Sequence, residues 1–492
     1  MLRTVCPQPT LWDAILPECA RGLPPGLAEV DRLLDDPRFF VPFVPFFSAR
    51  TGRPSIPMET YVRMMFLKYR YRLGFETLCG EVADSIAWRR FCRLPIDASV
   101  PHPSTLEKIT CRCGQEAVDG LNEALLAKAA EAKLVKCDRV RADTTVVPAN
   151  VAHPSDAGLL AKGVVSLTKL TAKLKELGLA RRCRFRDRTR AIKRRSHAMG
   201  TWLRRRSEEA KEEVMAITAE MVTIAEAALA DSAGIVRNAR RKINAMGEEA
   251  SAQAVAKLAE LEYTAAILAK VIAQTRIRVG GGMPDGATRV VSYHDPDARP
   301  IAKGRIGKPV EFGYKAQVVD NSDGIIIDHE VILGNPSDAP LLAPAIRRVK
   351  GRFGRVPRAV TADRGYGDAQ VETDLATLGV KTVVIPRRGR PNQERARLQR
   401  SARFTKLVKW RTGCEGRVAT LKRNWGWSRT LMDGLEGASI WCGWGVLAHN
   451  ATKIVNLTTD PQPSNHPNRS RPVRPRGGTS PPREPPPAVR AA

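Results

Sequence analysis

The chain has 492 residues, with 80 Lys and Arg against 51 Asp and Glu, and a formal net charge of +29. Such a length holds two or three domains around a large core, and a hydrophobic fraction of 43% excludes a wholly disordered chain. The charge excludes a neutral small-molecule enzyme as the default and points to a polyanionic partner, because the cations are spread along the chain and not confined to one tail.

Ten cysteines in a chain this long do not make a disulfide framework. The N-terminus lacks the apolar stretch of a secretory signal, and no segment reaches the ~18–20 apolar residues of a membrane span. Ile440–Val455 comes nearest, but it carries His449, Asn450 and Lys453. The expectation is a cytoplasmic, nucleoid-associated protein with free thiols and no membrane partner.

Residues 1–135 read as a helical N-terminal, DNA-binding domain. Met58–Tyr71 carries apolar residues at helical spacing, and Glu76–Ser85 and Trp88–Cys92 follow. Ser104 predicts the cap of a further helix running to about Ala132, with Glu107 three residues on as a capping box. Helices with basic outer faces suit DNA, and a plain packing domain fits the same pattern.

At Lys136 the period changes to two. Arg139–Val147 alternates and is rich in β-branched residues, which predicts a strand with Asp143 on one face, ended by Pro148. Residues 136–457 are assigned to a catalytic domain, interrupted at about 155–285 by an Ala- and Leu-rich helical insertion. Arg181–Arg206 within it holds twelve Arg or Lys and one acid, Asp187. That run reads either as a phosphate-contacting arm, with Lys193, Arg194 and Arg195 as its DNA-binding residues, or as a solvated, partly disordered arm. Phe312–Val319 and Ile325–Leu333 predict a hairpin, Asp338–Val349 a helix, Arg358–Ala362 a strand, then a helix to Leu378 and a strand Val380–Ile385. Helices Phe404–Asn424 and Gly437–Leu457 complete the domain. Residues 458–492 read as a disordered tail, rich in Pro and Arg.

With the insertion set aside, this is the element order of an α/β, RNase H-like catalytic core. Such a sheet gathers carboxylates at the end of its first strand, after its fourth, and on a later helix. Asp143, Asp363 and Glu415 stand at those places. Phosphodiester cleavage needs an activated nucleophile and relief of charge on the leaving oxygen, which two Mg²⁺ ions about 3.5–4 Å apart provide. Oxygen donors suit Mg²⁺, so a few carboxylates are enough, and Mn²⁺ substitutes. Each acid has an ordinary reading too. Asp138 competes with Asp143, and Asp363 could cap a turn, with Asp368 beside it. Arg411, Glu415 and Lys422 share one helical face and could form a surface ion-pair ladder. Trp425 and Trp427 read either as core or as a base-stacking pair, and His153 and His294 receive no role.

These stretches resemble the bacterial insertion-sequence transposases of the DDE type, whose C-terminal signature is Tyr-(2)-Arg-(3)-Glu-(6)-Lys. Arg411, Glu415 and Lys422 match its last three positions, and Val408 stands at the tyrosine position, with Trp410 nearby. ADTTVVPANVAHPSD around Asp143, GKPVEFGYKAQVVD and TADRGYGD around Asp363 are similar to the family as well, as is GRPSIPMETYVRMMFLKYRYRLGFETL near the N-terminus. The resemblance covers about residues 30–455. It implies a metal-binding triad of Asp143, Asp363 and Glu415, with Arg411 and Lys422 contacting DNA near the cut. It implies a homodimer on double-stranded DNA that pairs the element ends, cuts them and joins the 3′ ends to target DNA. A non-catalytic DNA-binding descendant, or a nuclease of the same fold that does not join strands, are the rival expectations.

Overall fold

The computed structural model describes residues 1–4, 15–205, 207–305 and 308–459. The predicted tail from 460 onward therefore lies outside the described residues. After a single helical turn, Glu18–Arg21, the N-terminal part holds α1 (Pro25–Leu34), α2 (Met58–Tyr71), α3 (Phe75–Asp84), α4 (Ile86–Phe91) and α5 (Pro103–Glu131). α2 is buried on every side from Met58 to Tyr69, which a helix in the middle of a large core must be. Its charged Arg63 is sustained there by Asp31, 2.8 Å from Nε. The start of α5 differs from expectation. His102 is the N-cap, its ring nitrogen accepting from the Ser104 N–H, and Ser104 lies inside the first turn. Pro103 is the reason: its fixed φ and missing N–H suit the first helical position, which moves the cap earlier. α5 is broken at Gly114, where φ is 59°.

The sheet holds β1 (Arg139–Pro148), β2 (Arg299–Arg305), β3 (Lys308–Asn321), β4 (Ile326–Ile332), β5 (Ala359–Ala362) and β6 (Thr382–Val384). β3 runs antiparallel to β1 on one edge, while β2 and β4 pair end to end along its other edge. β5 is parallel to both β1 and β6. Through the centre the order is β4-β3-β1-β5-β6, antiparallel on one side of β1 and parallel on the other, as an RNase H-like sheet requires. β2 is the strand that the period did not reveal. Its sequence, RPIAKGR, does not alternate, and Pro and Gly confine it to an edge.

Helices α10 (Ala339–Phe353), α11 (Ala369–Thr377), α12 (Gln393–Arg400), α13 (Ala402–Asn424) and α14 (Gly434–Thr459) complete this part. One continuous core joins the sheet, α14 and the N-terminal helices. The apolar stretch Ile440–Val455 is thus a core helix, and among the described residues no helix is long and apolar enough to cross a membrane. Its polar residues are satisfied locally. Asn450 accepts from the Ile326 N–H at 2.9 Å and donates to the Ile326 carbonyl at 2.8 Å, continuing the ladder of β4. Trp425 and Trp427 are buried in the same core, with the Trp427 indole donating to the Cys442 carbonyl at 3.2 Å. Packing, and not an exposed stacking surface, is their place.

Between β1 and β2 stand α6 (Asp156–Glu176), α7 (Thr189–Trp202), α8 (Glu208–Met246) and α9 (Ala252–Val279), around a core of their own. The basic run does not form a free arm. α7 buries Ile192 and Met199 against the bundle, and cations of the run find acids on α8: Arg195 pairs with Glu220, and Arg188 with Asp231 at 2.6 Å. A window over the run counts only the acids inside it, so compensation from a neighbouring helix is invisible there. Lys193 and Arg194 do not share these two pairs and keep part of their surface in solvent.

Candidate active site

The strand register sets the first two acids side by side. Ala142 of β1 is the partner of Ala362 of β5, and Asp143 and Asp363 are the next residues along these parallel strands. Asp138 stays exposed ahead of β1, and Asp368 caps α11 by accepting from the Gln370 N–H at 3.0 Å, so neither competes for the place. Asp363 accepts from the Gly365 N–H at 2.8 Å, and Asp143 from the Thr144 N–H at 2.8 Å, which fixes both carboxylates from neighbouring backbone.

Glu415 comes from α13. Arg411, one turn earlier, donates to the Glu415 carboxylate at 2.6 Å and lies 3.5 Å from Asp143 Oδ2. Its side chain is only 13% exposed, against 60% for Glu415. The predicted DNA contact Arg411 is therefore placed between the acids as their counter-ion. Lys422 lies further along the same helix, part-exposed, with partners of its own. Val408, at the signature tyrosine position, packs with Val384, Phe404 and Leu407. Trp410 lies against the Arg141 guanidinium, 4.6 Å from its ring centroid.

What holds α13 in place was not legible in the chain. Arg141, two residues before Asp143, forms a buried bidentate pair with Asp320 of β3 at 2.7 and 2.9 Å and donates to the Trp410 carbonyl at 2.9 Å. Arg417 reaches the same Asp320 at 3.4 Å. A Cβ on Gly413 would collide with the Arg141 guanidinium, so glycine inside this helix is what lets helix and strand approach. A fourth acid is also present. Asp338, just ahead of α10, accepts from the Thr144 hydroxyl at 3.0 Å and pairs with Lys315 of β3 at 2.5 Å. In sequence Asp338 reads only as a helix start, because its partners lie 23 and 194 positions away.

The electrostatics are those of crowded acids. Burial pushes the Asp143 carboxyl up to about 7, the charges of Asp363 and Glu415 add to this, and Arg411 opposes it. Burial also raises Asp363, with the charge of Asp338 as the next contribution. Among the described residues no three acid, His or Cys side chains already form one metal-binding group. The donor set nevertheless fits a hard divalent cation. It offers carboxylate oxygens only, two of them raised by crowding and burial, and a cation between them would relieve that repulsion.

The chain matches the family "Transposase domain (DUF772)" over residues 21–112 and the family "Transposase DDE domain" over residues 286–451. The second match includes Asp363 and Glu415, while Asp143 lies ahead of it, on the far side of the helical bundle in sequence. A relative from Rhizobium meliloti, "Uncharacterized protein ORF8 in nfe locus", is 29% identical over 133 residues, which is 25% of this chain. The match spans 62% of that relative's length. No solved structure matches. With both transposase families matched in one polypeptide, over more than half its length, the chain belongs to the insertion-sequence transposases of the DDE type.

Proposed function

We propose that the chain cuts double-stranded DNA at the ends of its own element and joins the freed 3′-hydroxyls to target DNA, with Asp143, Asp363 and Glu415 as the metal-ligating acids. The observation that carries this reading is that the β1–β5 register sets Asp143, midway along β1, beside Asp363, just past the end of β5, with Arg411 spanning Asp143 and Glu415. Bound there, two Mg²⁺ ions, or Mn²⁺ in their place, would supply polarisation of the attacking oxygen and relief of charge on the leaving one. The chain's own residues do the rest. The backbone N–H groups of Thr144 and Gly365 hold the two aspartates in fixed orientations. Arg411 balances the acids in the metal-free protein, and its guanidinium is placed to turn toward a phosphate once a cation takes over that task. Two ends must be held together for joining, so the working form is a homodimer on DNA.

Val408 favours a second reading, a DNA-binding protein of this family that no longer cuts, since an apolar residue replaces the signature tyrosine. One assay separates the two. Duplex DNA carrying the sequences that flank the coding region is incubated with the protein in Mg²⁺ or in excess EDTA, and nicked and joined products are scored. Asp143→Asn, Asp363→Asn and Glu415→Gln should each abolish both products while leaving binding largely intact, because each loses a ligating charge but no bulk. Nicks without joined products would reduce the protein to a nuclease. Turnover in EDTA, or full activity of any one variant, would remove the two-metal assignment.

A further inference from the structure

Lys68 is a core lysine whose ammonium lies among aromatic rings. It sits near the end of α2, with 3% of its surface exposed. Its ammonium lies 4.6 Å from the ring centroids of Phe75 and Trp441 and 5.0 Å from that of Tyr69. Aromatic faces attract a cation, but they offer no lone pair to its three N–H donors. Among the described residues Lys68 Nζ has no hydrogen bond or ion pair, and Glu107, the acid whose charge it feels, is exposed. Leaving a buried ammonium without an acceptor is costly, and such a group either loses its proton or waits for a partner. Burial indeed lowers Lys68 to about 8, so at neutral pH it keeps its charge.

Lys68 faces a cavity of about 310 Å³, lined also by Tyr71, Arg72, Ser428, Arg429 and Trp441. Three cations and the Ser428 hydroxyl surround it, and among the described residues no acid does. Arg72 is held over it in a left-handed backbone conformation, φ 56°, which any residue but glycine adopts at a cost. Its guanidinium donates to the Arg423 carbonyl at 3.0 Å, at the end of the helix that carries Glu415. Arg429 reaches Asn150, just beyond the strand that carries Asp143, at 3.4 Å. The cavity thus lies where the N-terminal helices meet the segments that lead from the site.

We infer that this cavity binds an internal phosphate of the DNA backbone, with Lys68 donating from its floor and Arg72 and Arg429 from its rim. The volume admits a phosphate with its sugar, and the apolar walls, Leu73 and Leu431, suit the sugar. This rests on the reading of the chain as a DNA-processing enzyme, and it gives the N-terminal helices a direct part in holding the strand.

The test uses the full chain in EDTA, with random-sequence duplexes ending in 5′-hydroxyl or 5′-phosphate, so neither cleavage nor recognition of the element ends enters. Affinity is measured against salt for the wild type, Lys68→Met, Lys68→Arg and Arg429→Gln. On hydroxyl-ended duplex, Lys68→Met and Arg429→Gln should each lower the slope of log K against log salt by about 0.9, the value for one phosphate no longer neutralised. Lys68→Arg should lose less. A loss confined to phosphate-ended duplex would overturn the internal phosphate and make the ligand a terminal one. Lys68→Met should also melt no lower than the wild type, since it removes a buried charge that lacks a partner. Unchanged slopes and affinities on both duplexes would overturn the assignment, and a lowered melting temperature with unchanged binding would make Lys68 purely structural. These outcomes are separable from failure of the proposed activity, which appears as wild-type binding without Mg²⁺-dependent nicks.

Discussion

Asp143 carries a consequence for stability. Its carboxyl is shifted from an ordinary 3.8 to about 7 in the folded protein, through burial first and the charge of Asp363 second. Between those values the folded state keeps a proton that the unfolded state has lost. The stability this proton contributes is therefore present at low pH and falls as pH rises toward 7. In EDTA the wild type should lose stability of the order of a few kcal/mol between pH 5 and pH 8 through this group. Asp143→Asn should lose distinctly less. Adding Mg²⁺ at pH 8 should restore the wild type more than the variant. Equal melting curves for the two proteins at both pH values would show that the crowding of Asp143 and Asp363 is not what the protein feels.

At the scale of elements, α13 and the helical bundle make separate predictions. Gly413 and Gly416 both lie inside α13, yet an added methyl meets the Arg141 guanidinium at Gly413 and open space at Gly416. Gly416→Ala should stabilise by up to about 1 kcal/mol, the ordinary helix preference for alanine. Gly413→Ala should destabilise by about 1–3 kcal/mol through overpacking, and it should slow cleavage because it displaces the helix that bears Glu415. Chemical denaturation of the two variants compares them directly, and a stabilised Gly413→Ala would mean that Arg141 yields easily. The bundle α6–α9 has its own core, and its ends are already tied. Asp156 at its start pairs with Arg278 at its end at 3.0 Å, and Gln274 exchanges hydrogen bonds of 2.9 and 3.1 Å with the backbone of Val290. Replacing residues 157–273 by a short flexible linker, which keeps both ties, should leave a folded, cooperatively melting protein. Absence of cooperative melting would show that the sheet depends on the bundle.

For the whole molecule, a net charge of +29 predicts DNA binding that weakens steeply with salt, as condensed counterions are displaced. The structure refines which cations contribute. Lys193 and Arg194 stand on α7 outside its pairs with α8, whereas Arg195 is engaged with Glu220. Changing Lys193 and Arg194 together to Gln should lower the salt slope by up to about 0.9 for each phosphate left unneutralised, equally on specific and random duplex. Arg195→Gln should change it less and should loosen the packing of α7 on α8 instead. Identical slopes for the wild type and the double variant would turn this face of the bundle away from DNA.

Much of this was readable from the chain, and the rest was not, for one physical reason. Period-two alternation, helical spacing and turn residues are local, so β1, the hairpin of β3 and β4, the helix bearing Glu415 and, β2 apart, the order of the elements along the chain could be written down from the sequence. So could Asp143, Asp363 and Glu415 as candidates, since each is marked by the element it ends or rides on. Interactions between distant segments leave no such periodic mark. Register alone brings Asp143 beside Asp363. The Arg141–Asp320 pair spans 179 positions, the Thr144–Asp338 bond spans 194, and the acids that compensate the basic run sit on another helix. The edge strand β2, the cap at His102, the burial of Trp425 and Trp427 and the cavity around Lys68 likewise follow from what packs against them. Sequence determined the elements and the chemistry they carry, while the tertiary structure decided which charges meet, because Coulomb and hydrogen-bond energies depend on distance through space and not on separation along the chain.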